Sequence, residues 1–183
     1  MASLSNATVS TRTLNGALAG AVAAGVWAFQ QPLDKLVLRC RYDDVELLGR
    51  AVRPDAGWYR AGLLLHVQNG AMFGALYANV APALPIPPAL RGPAAALAEH
   101  FFLWPLTGLS DRFHPAKDKL PALAGNRRAF AQATWRHLLF GAVLGALERR
   151  LNGDGDSIPP GPPPDYASNG HGSLERAVSG VPE

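Results

Sequence analysis

The sequence predicts an all-α protein, an integral membrane bundle of four helices with small-residue packing faces, followed by a disordered tail. Three observations support this fold class: four long apolar segments, small residues one helical turn apart within them, and an abrupt change to Pro/Gly-rich sequence after the last segment. An α-helix needs roughly 20 residues to cross the hydrocarbon core of a bilayer. The predicted spans are 14–31, 61–81, 89–109 and 129–147.

The first apolar segment, Leu14 to Phe29, contains no charged residue. A helix that packs on the core of a soluble protein would show a polar face, so this segment favours a membrane-embedded helix. Extension from near Thr11 through Gln31 supplies the length of a span. A secretory signal peptide is the alternative, but three comparable segments follow, which favours a span.

Small residues recur at intervals of four in three of the segments. In lipid this spacing lets two helix backbones approach closely. The predicted packing positions are Gly16, Gly20, Gly70, Gly74, Gly141 and Gly145.

The ends of the chain are predicted to lie outside the bundle. Residues 1–12 are predicted to be a flexible N-terminus and residues 13–151 the membrane domain. From Asn152 to Glu183 the sequence is rich in Pro and Gly and has no apolar periodicity, which is typical of a disordered segment.

Basic residues predict the orientation of the bundle. Residues 30–60 contain six Lys or Arg and residues 110–128 contain five, whereas four lie near the other membrane ends. The predicted location is therefore the bacterial inner membrane, with both long connections in the cytoplasm and both termini outside. Residues 33–52 alternate apolar and charged positions, which predicts a helix either at the lipid interface or packed on the bundle.

Composition excludes several functional classes. The single cysteine, Cys40, cannot form an intramolecular disulfide, and no Cys/His spacing indicates a metal site. The net charge of +3 comes without an aromatic-interleaved basic stripe, so nucleic-acid binding is not expected. No nucleophile or phosphate-loop motif is present, so the sequence predicts neither an enzyme nor a cofactor.

Three stretches of the sequence resemble the YagU-type family of small bacterial inner-membrane proteins. They are "LLLHVQNGAMFGALYANVAP", "RGPAAALAEHFFLWPLTGL" and "TWRHLLFGAVLGALERRL". The resemblance implies a multi-pass membrane protein without a defined activity. Glu99 departs from it, because the family usually has an uncharged polar residue there. The resemblance rests on His66, Tyr77, His100, Pro105, Leu106, Gly108, Leu109, His137, Glu148, Arg149 and Arg150.

Five polar residues within the predicted spans are the candidate site: His66, Glu99, His100, Arg136 and His137. Charged groups at the centre of a bilayer cost about 2.5 to 3.5 kcal/mol, so they should face the bundle and find partners. We expect an ion pair between Glu99 and Arg136, with His100 and His137 left to interact with each other.

Four interpretations of this cluster remain open at this stage. It could be a pH-responsive or proton-linked group, a haem or metal site, a set of hydrogen bonds between helices, or the polar face of an accessory subunit. The expected partners are the lipid bilayer, a second copy of the chain or a larger membrane protein. Pro105 is predicted to kink the third span, either as a static bend or beside a cavity.

Overall fold

The computed structural model describes residues 2–153, and within this range the chain is helical and contains no strand. The all-α class is confirmed. Short 3₁₀ turns lie at Ala81–Ala83, Trp104–Leu106 and Lys117–Lys119. The helices are α1 (Ala2–Leu38), α2 (Asp44–Val52), α3 (Trp58–Val80), α4 (Pro88–Leu103), α5 (Thr107–Phe113) and α6 (Arg127–Asn152).

Two helix starts follow from side-chain caps. Asp43 precedes α2 and accepts a hydrogen bond from the backbone of Glu46, whereas Asn126 precedes α6 and accepts from the backbones of Arg128 and Ala129. Each cap satisfies an N–H group that the first helical turn leaves without a partner. Helix α1 instead begins at Ala2, earlier than predicted, and the predicted tail lies outside the described residues from 154 onwards.

Helix α1 packs against α3 and α6, while α4 packs against α6 and α2 against α3. The contact of α1 with α3 is a backbone contact: a Cβ atom on Gly20 would overlap the carbonyl oxygen of Gly70, and one on Gly74 would meet the Cα of Gly20 at 2.8 Å. Gly16 lies against Gly74 in the same interface. Only glycine permits helix axes this close.

The contact of α4 with α6 uses the same device. Gly141 and Gly145 both face Gly92, and a Cβ atom on Gly92 would lie 2.9 Å from the Cα of Gly145. The sequence prediction did not include Gly92, because α4 has no second glycine one turn away from it.

The predicted membrane spans are wrong. Across residues 2–153, no helix is both long enough and apolar enough to cross a membrane. The apolar character of these segments comes largely from Ala and Gly, which gain little from transfer into hydrocarbon, and α6 contains Arg136 and Glu148. The placement as a multi-pass inner-membrane protein, and the orientation derived from it, fall with the spans.

Two connections also differ from the prediction. The helix predicted over 33–52 is divided, since α1 continues through Pro32 to Leu38 and the chain then reverses before α2, with Arg39 in the left-handed region at φ 50°. Pro105 lies in the 3₁₀ turn between α4 and α5. It therefore marks a boundary between two helices and does not kink one continuous helix.

Candidate functional site

The guanidinium of Arg136 is the centre of a buried ionic network. Its Nε donates to Asp34 Oδ2 at 2.6 Å, its Nη2 to Asp34 Oδ1 at 2.7 Å, and its Nη1 to Asp44 Oδ2 at 2.7 Å. Nη2 also donates to the carbonyl oxygen of Tyr42 at 3.1 Å. The side chain of Arg136 is fully buried and that of Asp34 is 3 % exposed. This bidentate geometry joins α6 to α1 and to the start of α2.

Asp44 connects this network to the aromatic side chains around it. Besides Arg136, it accepts hydrogen bonds from the hydroxyl of Tyr42 and from Trp27 Nε1, the latter at 3.2 Å. Burial alone would raise the pKa of Asp44, but Arg136 and the Tyr42 hydroxyl lower it below its ordinary value. Burial and the charge of Asp44 raise the pKa of Tyr42. Asp44 therefore stays ionised and Tyr42 stays a hydrogen-bond donor.

Arg136 does not form the expected ion pair with Glu99. The Glu99 carboxylate lies 3.5 Å from His137 Nε2 and is 37 % exposed. Adjacent helical residues point about 100° apart. Arg136 consequently faces α1 while His137 faces α4, and the two sequence neighbours belong to different groups.

Two of the three candidate histidines, His66 and His137, pack against Trp27, and the third, His100, packs against His137. The centroids of the Trp27 ring and the His66 ring are 5.1 Å apart, and those of Trp27 and His137 are 4.7 Å apart. The His100 and His137 rings also lie at 4.7 Å. The fold thus brings His66, His100, His137 and Glu99 to one place, with Trp27 between them.

Two of these rings also have a hydrogen bond to the protein. His100 Nε2 lies 2.9 Å from Thr134 Oγ1, a contact that links α4 to α6. His137 Nδ1 lies 2.8 Å from the carbonyl oxygen of Ala133. The backbone of Ala24 favours the protonated form of His66 and so raises its pKa, against the larger effect of burial.

These residues line a cavity of about 240 Å³. Its wall includes three histidines, two carboxylates and five aromatic rings, and Asn69 and Leu103, both exposed, reach it from the surface. A dry cavity of about 150 Å³ holds benzene, so this volume suits a molecule of about ten non-hydrogen atoms. The aromatic rings are those of Trp27, Tyr42, Phe73, Trp104 and Phe140.

His66 contributes an unusual feature to this wall. The residue is 7 % exposed, and within residues 2–153 its Nε2 atom has no hydrogen-bond partner. Leaving such an atom unpaired costs about 1 to 3 kcal/mol. Burial lowers the pKa of His66, although Asp44 partly opposes the shift.

The pKa of His100 bears on the pH-responsive interpretation. Burial, and then the proximity of His137, lower this pKa from 6.5 to about 4. His100 is therefore neutral at physiological pH. Its pKa lies below the pH range in which a titratable histidine cluster was expected to respond. In the described part of the chain, no group of three or more His, Cys, Asp or Glu is arranged to hold a metal ion.

Sequence reasoning missed the acidic partners of Arg136 and the central position of Trp27. Asp34 and Asp44 lie in the segment 33–52, which was predicted to lie at the lipid interface or to pack on the bundle. The sequence contains no direct signal for their pairing with Arg136, because that pairing depends on how α6 packs on α1. Comparison with protein-family models, with curated proteins and with solved structures finds no match to the chain, so the resemblance to the YagU-type family stays a prediction.

Proposed function

We propose that this protein binds a small organic molecule with an aromatic or other planar apolar body in the cavity around Trp27. The observation that carries the proposal is the buried Nε2 atom of His66, an unpaired polar atom in the wall of a cavity large enough for a ligand. Concave sites that are mainly apolar, with a few polar groups that fix orientation, are the usual form of small-molecule sites.

The cavity wall combines rigid and polar elements. The helices that carry Trp27 and His66 are held together by backbone contacts at glycine, so the wall is preorganised. The ionic network holds Tyr42 and Asp44, which are part of this wall, in place. A rigid wall lowers the entropy that a ligand loses on binding. A role in binding without catalysis agrees with the prediction that the chain is no enzyme, which stays a prediction.

Titration with a fragment set tests the proposal. The set contains aromatic compounds of up to about ten non-hydrogen atoms, each with a polar group, and binding is followed by calorimetry and by tryptophan fluorescence, since Trp27 and Trp104 line the cavity. His66→Phe keeps an aromatic ring but removes both ring nitrogens, Nε2 among them. We expect it to weaken binding about tenfold and to stabilise the unliganded protein by about 1 kcal/mol.

Tyr77→Phe is the matched control. Tyr77 is 4 % exposed and lies on the same helix as His66, but it is not part of the cavity wall. This substitution also removes a buried polar atom and should leave fragment affinity unchanged. The proposal is overturned if no fragment binds, or if His66→Phe and Tyr77→Phe change affinity equally.

A further inference from the structure

Two of the three histidines of the cavity, His137 and His100, direct a ring N–H group to an acceptor within the protein. A carbonyl oxygen only accepts, so His137 donates from Nδ1 to Ala133, and its Nε2 faces Glu99 at 3.5 Å. The Thr134 hydroxyl donates to the carbonyl of Phe130 at 2.8 Å and hence accepts from His100 Nε2.

His66 is assigned in the same way. The backbone of Ala24 favours the protonated ring, and Nε2 has no partner among the described residues, so we assign the single ring proton to Nδ1. The pKa of His66 is lowered and that of His100 is about 4, so both rings are neutral at pH 7. Each neutral ring then keeps one nitrogen that can only accept a hydrogen bond.

The charges in the wall have one sign. Asp44 and Glu99 line the cavity, and no lysine or arginine of the described residues does. Asp44 already accepts from Arg136, Tyr42 and Trp27. The Glu99 carboxylate lies 3.5 Å from His137 Nε2 and is partly open to solvent.

The aromatic rings of the wall have two properties that decide which ligand can bind. Five aromatic rings surround the volume and offer flat apolar contact. Aromatic faces also attract cations, most strongly where water is excluded. The neutral acceptors favour a ligand that donates hydrogen bonds, and the carboxylate and the aromatic faces favour a ligand with a positive charge.

We propose that the ligand is a small aromatic cation with N–H groups, an ammonium or an amidinium, which donates to His66 Nε2 and to the Glu99 carboxylate. This inference rests on the proposed function and adds the chemical class of the ligand. Carboxylates and phosphates are rejected, because no lysine or arginine of the described residues lines the wall and Glu99 repels them.

Matched compounds test the charge preference. Calorimetry at pH 7.5 compares benzylammonium with benzyl alcohol and benzoate, and benzamidinium with benzamide, which share a ring and differ in charge. We expect each cation to bind at least tenfold more tightly than its neutral counterpart, and benzoate not to bind. Glu99→Gln should weaken the cations about fivefold and leave the neutral compounds unchanged, because it removes a charge and keeps the shape.

Asp55→Asn is the control for the loss of a negative charge, since Asp55 lies on the surface with its side chain 60 % exposed. It should leave all affinities unchanged. If the alcohol or benzamide binds as tightly as its cation and still requires His66, the charge class is wrong and the proposed function stands. If Glu99→Gln and Asp55→Asn weaken the cations equally, Glu99 is not the counterion. If no compound of either charge binds, both proposals fail.

Discussion

Replacement of Arg136 by methionine removes the cation from the buried network and keeps an unbranched side chain of similar length. The substitution leaves Asp34, with its side chain 3 % exposed, and Asp44, 14 % exposed, without a counterion. Removal of one partner from a buried ion pair costs about 3 to 5 kcal/mol. The total stability of a domain is about 5 to 15 kcal/mol, so Arg136→Met should remove a large part of it.

Urea unfolding followed by circular dichroism measures this loss. The urea concentration at the midpoint of unfolding should be lower for Arg136→Met than for the wild type. In thermal unfolding, the melting temperature should fall by roughly 6 to 20 °C. Arg53→Met is the matched control, because Arg53 pairs with Asp55 on the surface and both side chains are 60 % exposed. Such a pair contributes about 0 to 1 kcal/mol. Equal effects of the two substitutions would refute the argument that burial makes the Arg136 network important.

The pH dependence gives a second measure of the same substitution. In the wild type the pKa of Asp44 is lowered, so its contribution to stability is present above the unfolded pKa of about 3.9 and is lost as pH falls through the lower folded pKa. Without Arg136, burial is left to raise the pKa of Asp44. The variant should then recover stability relative to the wild type as pH falls from 7 towards 4, and a constant difference over this range would contradict the assignment.

Three further predictions concern helix packing and the cavity. Gly20→Ala should destabilise the fold by about 1 to 3 kcal/mol, because its Cβ would overlap the Gly70 backbone, whereas Gly25→Ala, with open space around it, should be neutral or stabilising in the same melts. Glu99→Gln should change stability by less than about 1 kcal/mol, since Glu99 is partly exposed and does not pair with Arg136. In an NMR titration the His100 ring should stay neutral down to about pH 5, because burial lowers its pKa to about 4, and an ordinary midpoint near 6.5 would contradict its burial.

Much of the helical architecture could be predicted from local sequence. The segments expected at 61–81 and 129–147 correspond to α3, Trp58–Val80, and to α6, Arg127–Asn152. These helices combine long runs without proline and, for α6, a capping asparagine, which are local signals. Pro105 was a reliable sign of disturbed helix, but its local effect could not distinguish a kink from a boundary.

The environment of the helices was predicted less well. Apolar residues on all sides of α1 predicted a helix surrounded by lipid, which is contradicted because no helix within residues 2–153 is long and apolar enough to cross a membrane. In α1 Ala19 and Ala23 are fully buried, while Leu14 and Phe29 are 67 % and 88 % exposed. Simple counting of apolar residues treats alanine and leucine alike, although they differ strongly in the free energy of transfer. Partnership with a second copy of the chain or a larger protein stays a prediction.

The candidate site shows why its residues could be identified individually but not paired. His100, Arg136 and His137 could be identified because a polar group inside an apolar segment is unfavourable unless it has a partner. That free-energy argument does not say which residue the partner is. Asp34 reaches Arg136 through the packing of α1 on α6, and Asp44 reaches it through the reversal of the chain at 39–43. That reversal depends on tertiary contacts that no short window of sequence contains.

Asp44 explains how one network can serve both stability and binding. It is held by Arg136 on the buried side and receives Trp27 Nε1–H on the cavity side. Because Trp27 lies against both His66 and His137, its indole transmits the position of Asp44 to the rings that line the cavity. Loss of Arg136 should therefore disturb the cavity as well as stability. Glu99, outside this network, is free to act on a ligand without a role in holding the fold together.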